Sequence, residues 1–212
     1  MELLLKDNGI IFDEAEHKYY ILDDDTMQVK SLPGITSTII RWLFPKTYEN
    51  IPERVLQLAA EYGSKIHKAI EKGSYDDDDG QKALNDYNRL MANAGLSCIE
   101  HEYLVTDNSF ASAIDLVLKD SKNNIYLADI KTTSKIHTES VSAQLSIYRY
   151  FMKICNPELD VTSGYVLWLP KPRYGKPELR EIPLVDIDKI KPMMSAYTEQ
   201  TSPDEFIKLF NN

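Results

Sequence analysis

Residues 112–131 read S-A-I-D-L-V-L-K-D-S-K-N-N-I-Y-L-A-D-I-K. Their middle, residues 120–124, gathers one Asp, one Ser, one Lys and two Asn between two apolar runs. That pattern predicts a β-hairpin. If the chain folds about Lys122, Asp115 stands opposite Asp129. Directly opposed residues on antiparallel strands share a face, with Cα atoms about 4.5–5.5 Å apart. Lys131 lies two residues beyond Asp129 and shares that face.

Two carboxylates and an ammonium group so collected suit a divalent cation. The acids repel one another unless a cation sits between them. Mg²⁺ accepts one or two carboxylates and keeps water in the rest of its shell. It polarises a phosphodiester and lowers the pKa of a bound water. A lysine alongside can orient that water and offset charge developing on the phosphate. The competing reading is a cross-strand ion pair at the end of a sheet. Aspartate is depleted in strands, however. Both acids here interrupt runs that are apolar on both faces: Ile114, Leu116 and Val117 around one, Ile125, Leu127 and Ile130 around the other. Buried charge of one sign is costly unless paired, which favours a site.

Outward from this hairpin, residues 10–22 read as a second hairpin turning around Asp13 to Glu16, and Leu32-Pro33-Gly34 as a turn leading into a mixed apolar run over 35–44. Residues 52–72 read as a helix, with Leu56, Ala60, Gly63, His67 and Ile70 in one stripe and Pro52 near its start. Four consecutive aspartates within residues 75–80 lack the ligand pattern of an EF-hand calcium loop and read as a solvated loop. Helices are expected over 81–94 and 139–154, strands over 98–106, 110–119, 124–131, 162–169 and 179–183, and two short helices near 187–199 and 203–210. The order predicts an α/β fold, a central mixed β-sheet flanked by helices. Residues 1–212 are read as a single domain, with its core over about 32–185, an N-terminal hairpin over 10–22 and C-terminal helices over 187–210.

Composition bounds the rest. The chain has 212 residues, 43% hydrophobic and 27% charged, an ordinary globular mixture. Cys98 and Cys155 have no C-x-x-C spacing, which argues against a disulfide framework, a structural zinc site and an iron–sulfur cluster. No signal peptide or membrane span is apparent, so a cytoplasmic protein is expected. The formal net charge of −9 weighs against a passive DNA coat, whose affinity comes from Lys and Arg replacing counterions. It leaves room for an enzyme with a local basic track.

The pair A-I-D-L-V and D-I-K-T-T resembles the adjacent strands of PD-(D/E)XK nucleases of the RecB-like type, which include phage exonucleases and CRISPR adaptation nucleases. Further segments resemble that type in the same order. Gly63-S-K-I-His67 is similar to its G-x-x-x-H helix, Gln144-L-S-I-Tyr148 to its Q-x-x-x-Y helix, and Pro33-G-I-T-S-T-I, preceded by His17-K-Tyr19, to its N-terminal P-S-V-T-S stretch. Glu102 stands where an acidic residue often precedes the first aspartate. The resemblance covers about residues 17–150. It implies a restriction-endonuclease-like core, with His67, Asp115, Asp129 and the carbonyl oxygen of Ile130 as ligands of Mg²⁺ or Mn²⁺. Lys131 is implied as the catalytic lysine, Glu102 as a further catalytic acid, and Gln144 and Tyr148 as supporting the lysine or touching a phosphate. Two departures stand out: Ala113 replaces the usual glycine two residues before the first aspartate, and Asp129 stands where glutamate is commoner. The absence of cluster-binding cysteines excludes the iron–sulfur branch.

The segment P-K-P-R-Y-G-K-P-E-L-R over 170–180 supplies Lys171, Arg173, Lys176 and Arg180 for backbone phosphates and Tyr174 for stacking on a base. A merely solvated loop is the competing reading. Arg41, Lys46 and Lys135 are weaker candidates for the same contacts. The expectation is a metal-dependent deoxyribonuclease, an exonuclease in recombination or repair acting on DNA, with a helicase or recombination protein as a candidate partner, and open to homo-oligomerisation. The alternatives are an inactive relative that binds DNA or a protein, and an RNA-directed or nicking endonuclease.

Overall fold

The structure is a computed structural model that describes residues 5–14, 16–23 and 27–211. Alternating apolar residues near the N-terminus form strands β1 (Ile10–Asp13) and β2 (Lys18–Asp23), paired from Ile10↔Ile21 to Asp13↔Lys18. A third strand, β3 (Gln28–Leu32), extends the expected hairpin into a small antiparallel sheet. The sequence hides β3 because four of its five positions face solvent and only Leu32 is buried, leaving no clean alternation. Ile10, Tyr19 and Leu32 seat this sheet on Ala111.

A helical segment over Thr36–Ile40 continues into α1 (Arg41–Leu43). Helix α2 (Glu53–Lys72) begins after Pro52 and ends at Gly73, whose φ of 60° closes it in the left-handed conformation. Helix α3 (Asp78–Ala94) starts inside the acidic run, which corrects the expectation of a loop over 75–80. Asp77 caps it by accepting from the Gly80 N–H, and Asp78 and Asp79 occupy its first turn, where the helix dipole favours negative charge. Lys65 pairs with Asp77 and Asp79.

The main sheet has the order β4-β5-β6-β7-β8, with β4 Ser97–Thr106, β5 Ala111–Lys119, β6 Ile125–Lys131, β7 Val161–Trp168 and β8 Glu178–Ile182. Neighbours are antiparallel except β6 and β7, which run parallel because helix α4 (Thr138–Cys155) crosses between them. Helices α5 (Ile187–Thr198) and α6 (Asp204–Ile207) close the chain. This is the expected central mixed sheet with helices on its faces. One face packs Val117 and Leu127 under α4 and α5, and the other packs Leu116, Ala128 and Ile130 under α2 and α3. Cys98 and Cys155 are free thiols. Among the described residues no helix is long and apolar enough to cross a membrane.

Gly164 on β7 marks how closely α4 approaches the sheet. A Cβ there would lie 2.8 Å from Leu184 Cδ2 and 3.1 Å from Leu145 Cδ1. Gly164→Ala should therefore destabilise the protein by about 1–3 kcal/mol through overpacking, read as a lower urea midpoint with unchanged slope.

Candidate metal centre

The turn that sets the register is built by Asp120. Its carboxylate accepts from the N–H groups of Lys122 and Asn124, and Asn123 adopts a left-handed φ of 63°. The β5–β6 pairs run from Lys119↔Ile125 to Leu116↔Ala128. One further step in this register sets Asp115 opposite Asp129, as the fold about Lys122 requires.

The alternation of faces breaks at Asp115. Ile114 and Val117 belong to the core under α4, whereas Leu116 and Leu118 belong to the core under α2 and α3. On β4, Glu102 lies between the pairs His101↔Leu116 and Tyr103↔Ile114, hence across from Asp115. It holds φ at 48°, a left-handed conformation that costs a side-chain-bearing residue about 1–2 kcal/mol. Its carboxylate thereby meets those of β5 and the imidazole of α2. Ligand atoms of His67, Glu102 and Asp115 all lie within 4.8 Å of one another. His67 Nδ1 is 3.6 Å from Glu102 Oε1 and 3.8 Å from Asp115 Oδ2.

The other expected ligands stand against this trio. Asp115 Oδ2 accepts from the Ile130 N–H at 2.6 Å. His67 Nε2 lies 3.2 Å from the Ile130 carbonyl oxygen. A carbonyl only accepts, so that contact requires the proton on Nε2. Asp129 is turned towards Lys131, whose Nζ donates to its Oδ1 at 2.9 Å. Asp129 Oδ2 is buried and accepts no hydrogen bond, although the ammonium lies 2.9 Å away in an ion pair. Such an oxygen retains lone pairs for a cation. The residues fit a hard divalent ion: carboxylate oxygens, one imidazole and one backbone carbonyl, without a thiolate.

Electrostatics fit the same conclusion. Burial alone would lower the pKa of His67, but Asp115, Glu102 and Asp129 outweigh it and raise it to about 9. Burial also pushes Asp115 up, against the pull of the His67 charge. Asp129 is raised to about 6 by burial and by Asp115, with Lys131 opposing. Lys131 is raised because Asp129 and Asp115 outweigh its own burial. The acids thus leave negative charge that the His67 imidazolium and the Lys131 ammonium offset.

Lys131 Nζ also donates to Gln144 Oε1 at 3.2 Å, and Gln144 Nε2 donates to the Tyr148 hydroxyl at 2.6 Å. Tyr148 is fully buried on α4 and is joined to the centre through Gln144. The chain continues through the Ser112 hydroxyl to Tyr19 on β2. Neither Ser112 nor Tyr19 was expected here, since nothing local in the sequence distinguishes a buried hydroxyl in a network from one in a strand.

The basic segment leaves the sheet beside the centre. Lys131 is the partner of Trp168 in the parallel β6–β7 pair, so residues 169–177 start at the same sheet end. Lys171 Nζ lies 4.4 Å from the centre of the Tyr62 ring on α2, and Arg173 covers Tyr174. Arg180 lies within the strand expected over 179–183. It belongs to β8 and pairs with Glu178, because strand alternation continues through it. Tyr48, next to none of the expected motifs, is exposed and faces His137.

No protein-family model matches the sequence, and no curated protein matches it. Among solved structures, the chain is similar to an alkaline exonuclease, LHK-Exo from Laribacter hongkongensis, at 14% identity and a TM-score of 0.38, over 81% of this chain and 89% of that one. It is similar to the protein SSO0001 at 12% identity and a TM-score of 0.34, over 79% of this chain and 87% of that one. At these values, function has to be argued from the residues of the centre itself.

Removing the strained carboxylate separates the centre from the fold. Glu102→Gly should raise stability by about 1 kcal/mol, since glycine relieves the left-handed backbone. The same change should weaken uptake of Mn²⁺. Thermal unfolding and a Mn²⁺ titration of one preparation check both halves.

Proposed function

We propose that this chain is a divalent-metal-dependent nuclease that hydrolyses phosphodiester bonds of DNA. The observation that carries the reading is the convergence of Asp115, Glu102 and His67, with Asp129 and Lys131 beside them, at one end of the sheet. A Mg²⁺ or Mn²⁺ ion held by Asp115, Asp129, His67, the Ile130 carbonyl and Glu102 would polarise the scissile phosphate and lower the pKa of a bound water.

The protein's own groups do the remaining work. Lys131 presents an ammonium held between Asp129 and Gln144, with its third hydrogen left to orient the attacking water or to meet charge on the phosphate. Gln144 keeps that ammonium in place, and Tyr148 fixes the Gln144 amide in the orientation that offers its oxygen to the lysine. Tyr148 supports the lysine and does not touch phosphate, since it is buried. Lys171 and Arg173 stand beside the same sheet end and suit backbone phosphates, with Lys176 and Tyr174 in the same loop. Attack on DNA from its ends is the form of the reaction we favour.

Digestion of end-labelled linear, nicked and closed circular DNA, each with Mg²⁺, Mn²⁺ or EDTA, tests this. The expected result is metal-dependent shortening of linear DNA with closed circles spared. Cleavage that persists in EDTA, or no cleavage with either metal, would refute it.

A further inference from the structure

The apolar stripe of α2 runs the full length of the helix, but the body of the protein covers only half of it. Ile66, Ala69 and Ile70 are buried against α3 and the sheet. Towards the N-terminus the same side of the helix carries Val55, Leu58 and Tyr62, spaced three and four apart. Val55 is 52% exposed and Leu58 54% exposed, and residues 53–61 are exposed throughout except for half-buried Leu56. The stripe expected from the sequence ran through Leu56, Ala60, Gly63, His67 and Ile70 on a neighbouring face; the outer part of the seam of Val55, Leu58 and Tyr62 has no cover among the described residues.

The charges beside this seam say what would cover it. Arg54 and Glu61 lie on one flank, each one position before a seam residue, Val55 and Tyr62. When two such helices pack antiparallel with Val55 against Leu58 of the other copy, Arg54 of each copy comes opposite Glu61 of the other. The seam and its charges are therefore complementary to themselves under a two-fold axis, as an isologous contact requires. Arg54 makes no ion pair among the described residues. DNA is a poor fit, because the arm pairs apolar side chains with balanced charge rather than a basic face.

We propose that the uncovered half of α2 docks on the same half of a second copy of this chain, antiparallel, forming a two-fold dimer. Three helical turns bury less than the roughly 1,200 Å² of a standard interface. The dimer is therefore a weak one, with a dissociation constant on the order of 10–100 μM. The contact does not depend on the nuclease reading, since mass is measured without DNA or metal.

Sedimentation equilibrium on the full chain up to about 200 μM, above the dissociation constant a contact of this size implies, is the test. Wild type should show a concentration-dependent rise from monomer to dimer mass. Leu58→Glu should remain monomeric, with circular dichroism unchanged because the side chain is exposed. Arg54→Glu and Glu61→Arg should each weaken association about tenfold, because like charges then oppose across the axis. The double variant Arg54→Glu/Glu61→Arg should restore it, since both ion pairs reform with reversed sign. A wild type that stays monomeric, or single variants that associate as wild type does, would overturn the proposal. So would a Leu58→Glu variant that keeps its dimer mass and loses affinity for DNA, because the arm would then be a nucleic-acid contact.

Discussion

Lys131→Ala is expected to slow DNA cleavage about 10²–10³-fold while DNA and the divalent ion still bind. Among the described residues, the lysine is the one cation of the centre that is free to face a bound phosphate. His67 is boxed in by Glu102, Asp115 and the Ile130 carbonyl. Removing the ammonium also strips Asp129, 1% exposed, of its counter-charge. Without metal the variant should therefore unfold more easily than wild type, and saturating Mn²⁺ should recover part of that loss. Single-turnover cleavage read beside fluorescence anisotropy of labelled DNA separates rate from binding. A variant that cuts as wild type does would make the lysine a structural counter-ion only.

Phe151→Ala should cost about 3–5 kcal/mol of stability, the largest effect expected of any substitution away from the centre. Phe151 is fully buried on α4, the helix that carries Gln144 and Tyr148 and bridges the parallel strands β6 and β7. Its removal leaves a cavity in the core that α4 shares with the sheet and α5. The melting temperature should fall by roughly 6–20 °C for a chain of this size. Because the same helix positions Gln144, activity should decline more steeply with temperature than in wild type. A loss under about 1 kcal/mol would mean that the core relaxes around α4 far more than close packing allows.

What the sequence disclosed depended on how local the determinant was. The β5–β6 register could be read from the polar bend over residues 120–124 and the two apolar runs alone, because a hairpin's pairing follows from where it turns. The helices carrying His67 and Gln144 were equally plain from their periodicity. Glu102 was read as a catalytic acid rather than a ligand, because its place in the trio depends on a left-handed backbone inside a strand, which no propensity announces. Asp129 was expected to share an ion with Asp115. In the structure it also leans on Lys131, an ammonium two residues away, with its Oδ2 accepting no hydrogen bond. Strand β3, and the exposure of the outer half of the expected helix α2, escaped for one shared reason. Both carry patterns whose partners lie elsewhere, so periodicity describes the face without saying whether it is covered.

A divalent ion shared by the acids of β4, β5 and β6 underlies the proposed chemistry. Titration of Mn²⁺ followed by the electron paramagnetic resonance signal of the free ion measures that directly, in wild type and in Asp115→Asn. Wild type should remove free Mn²⁺ saturably, and Asp115→Asn should remove far less while its melting temperature shows it folded. Equal uptake by the two proteins, or none by wild type, would contradict the account.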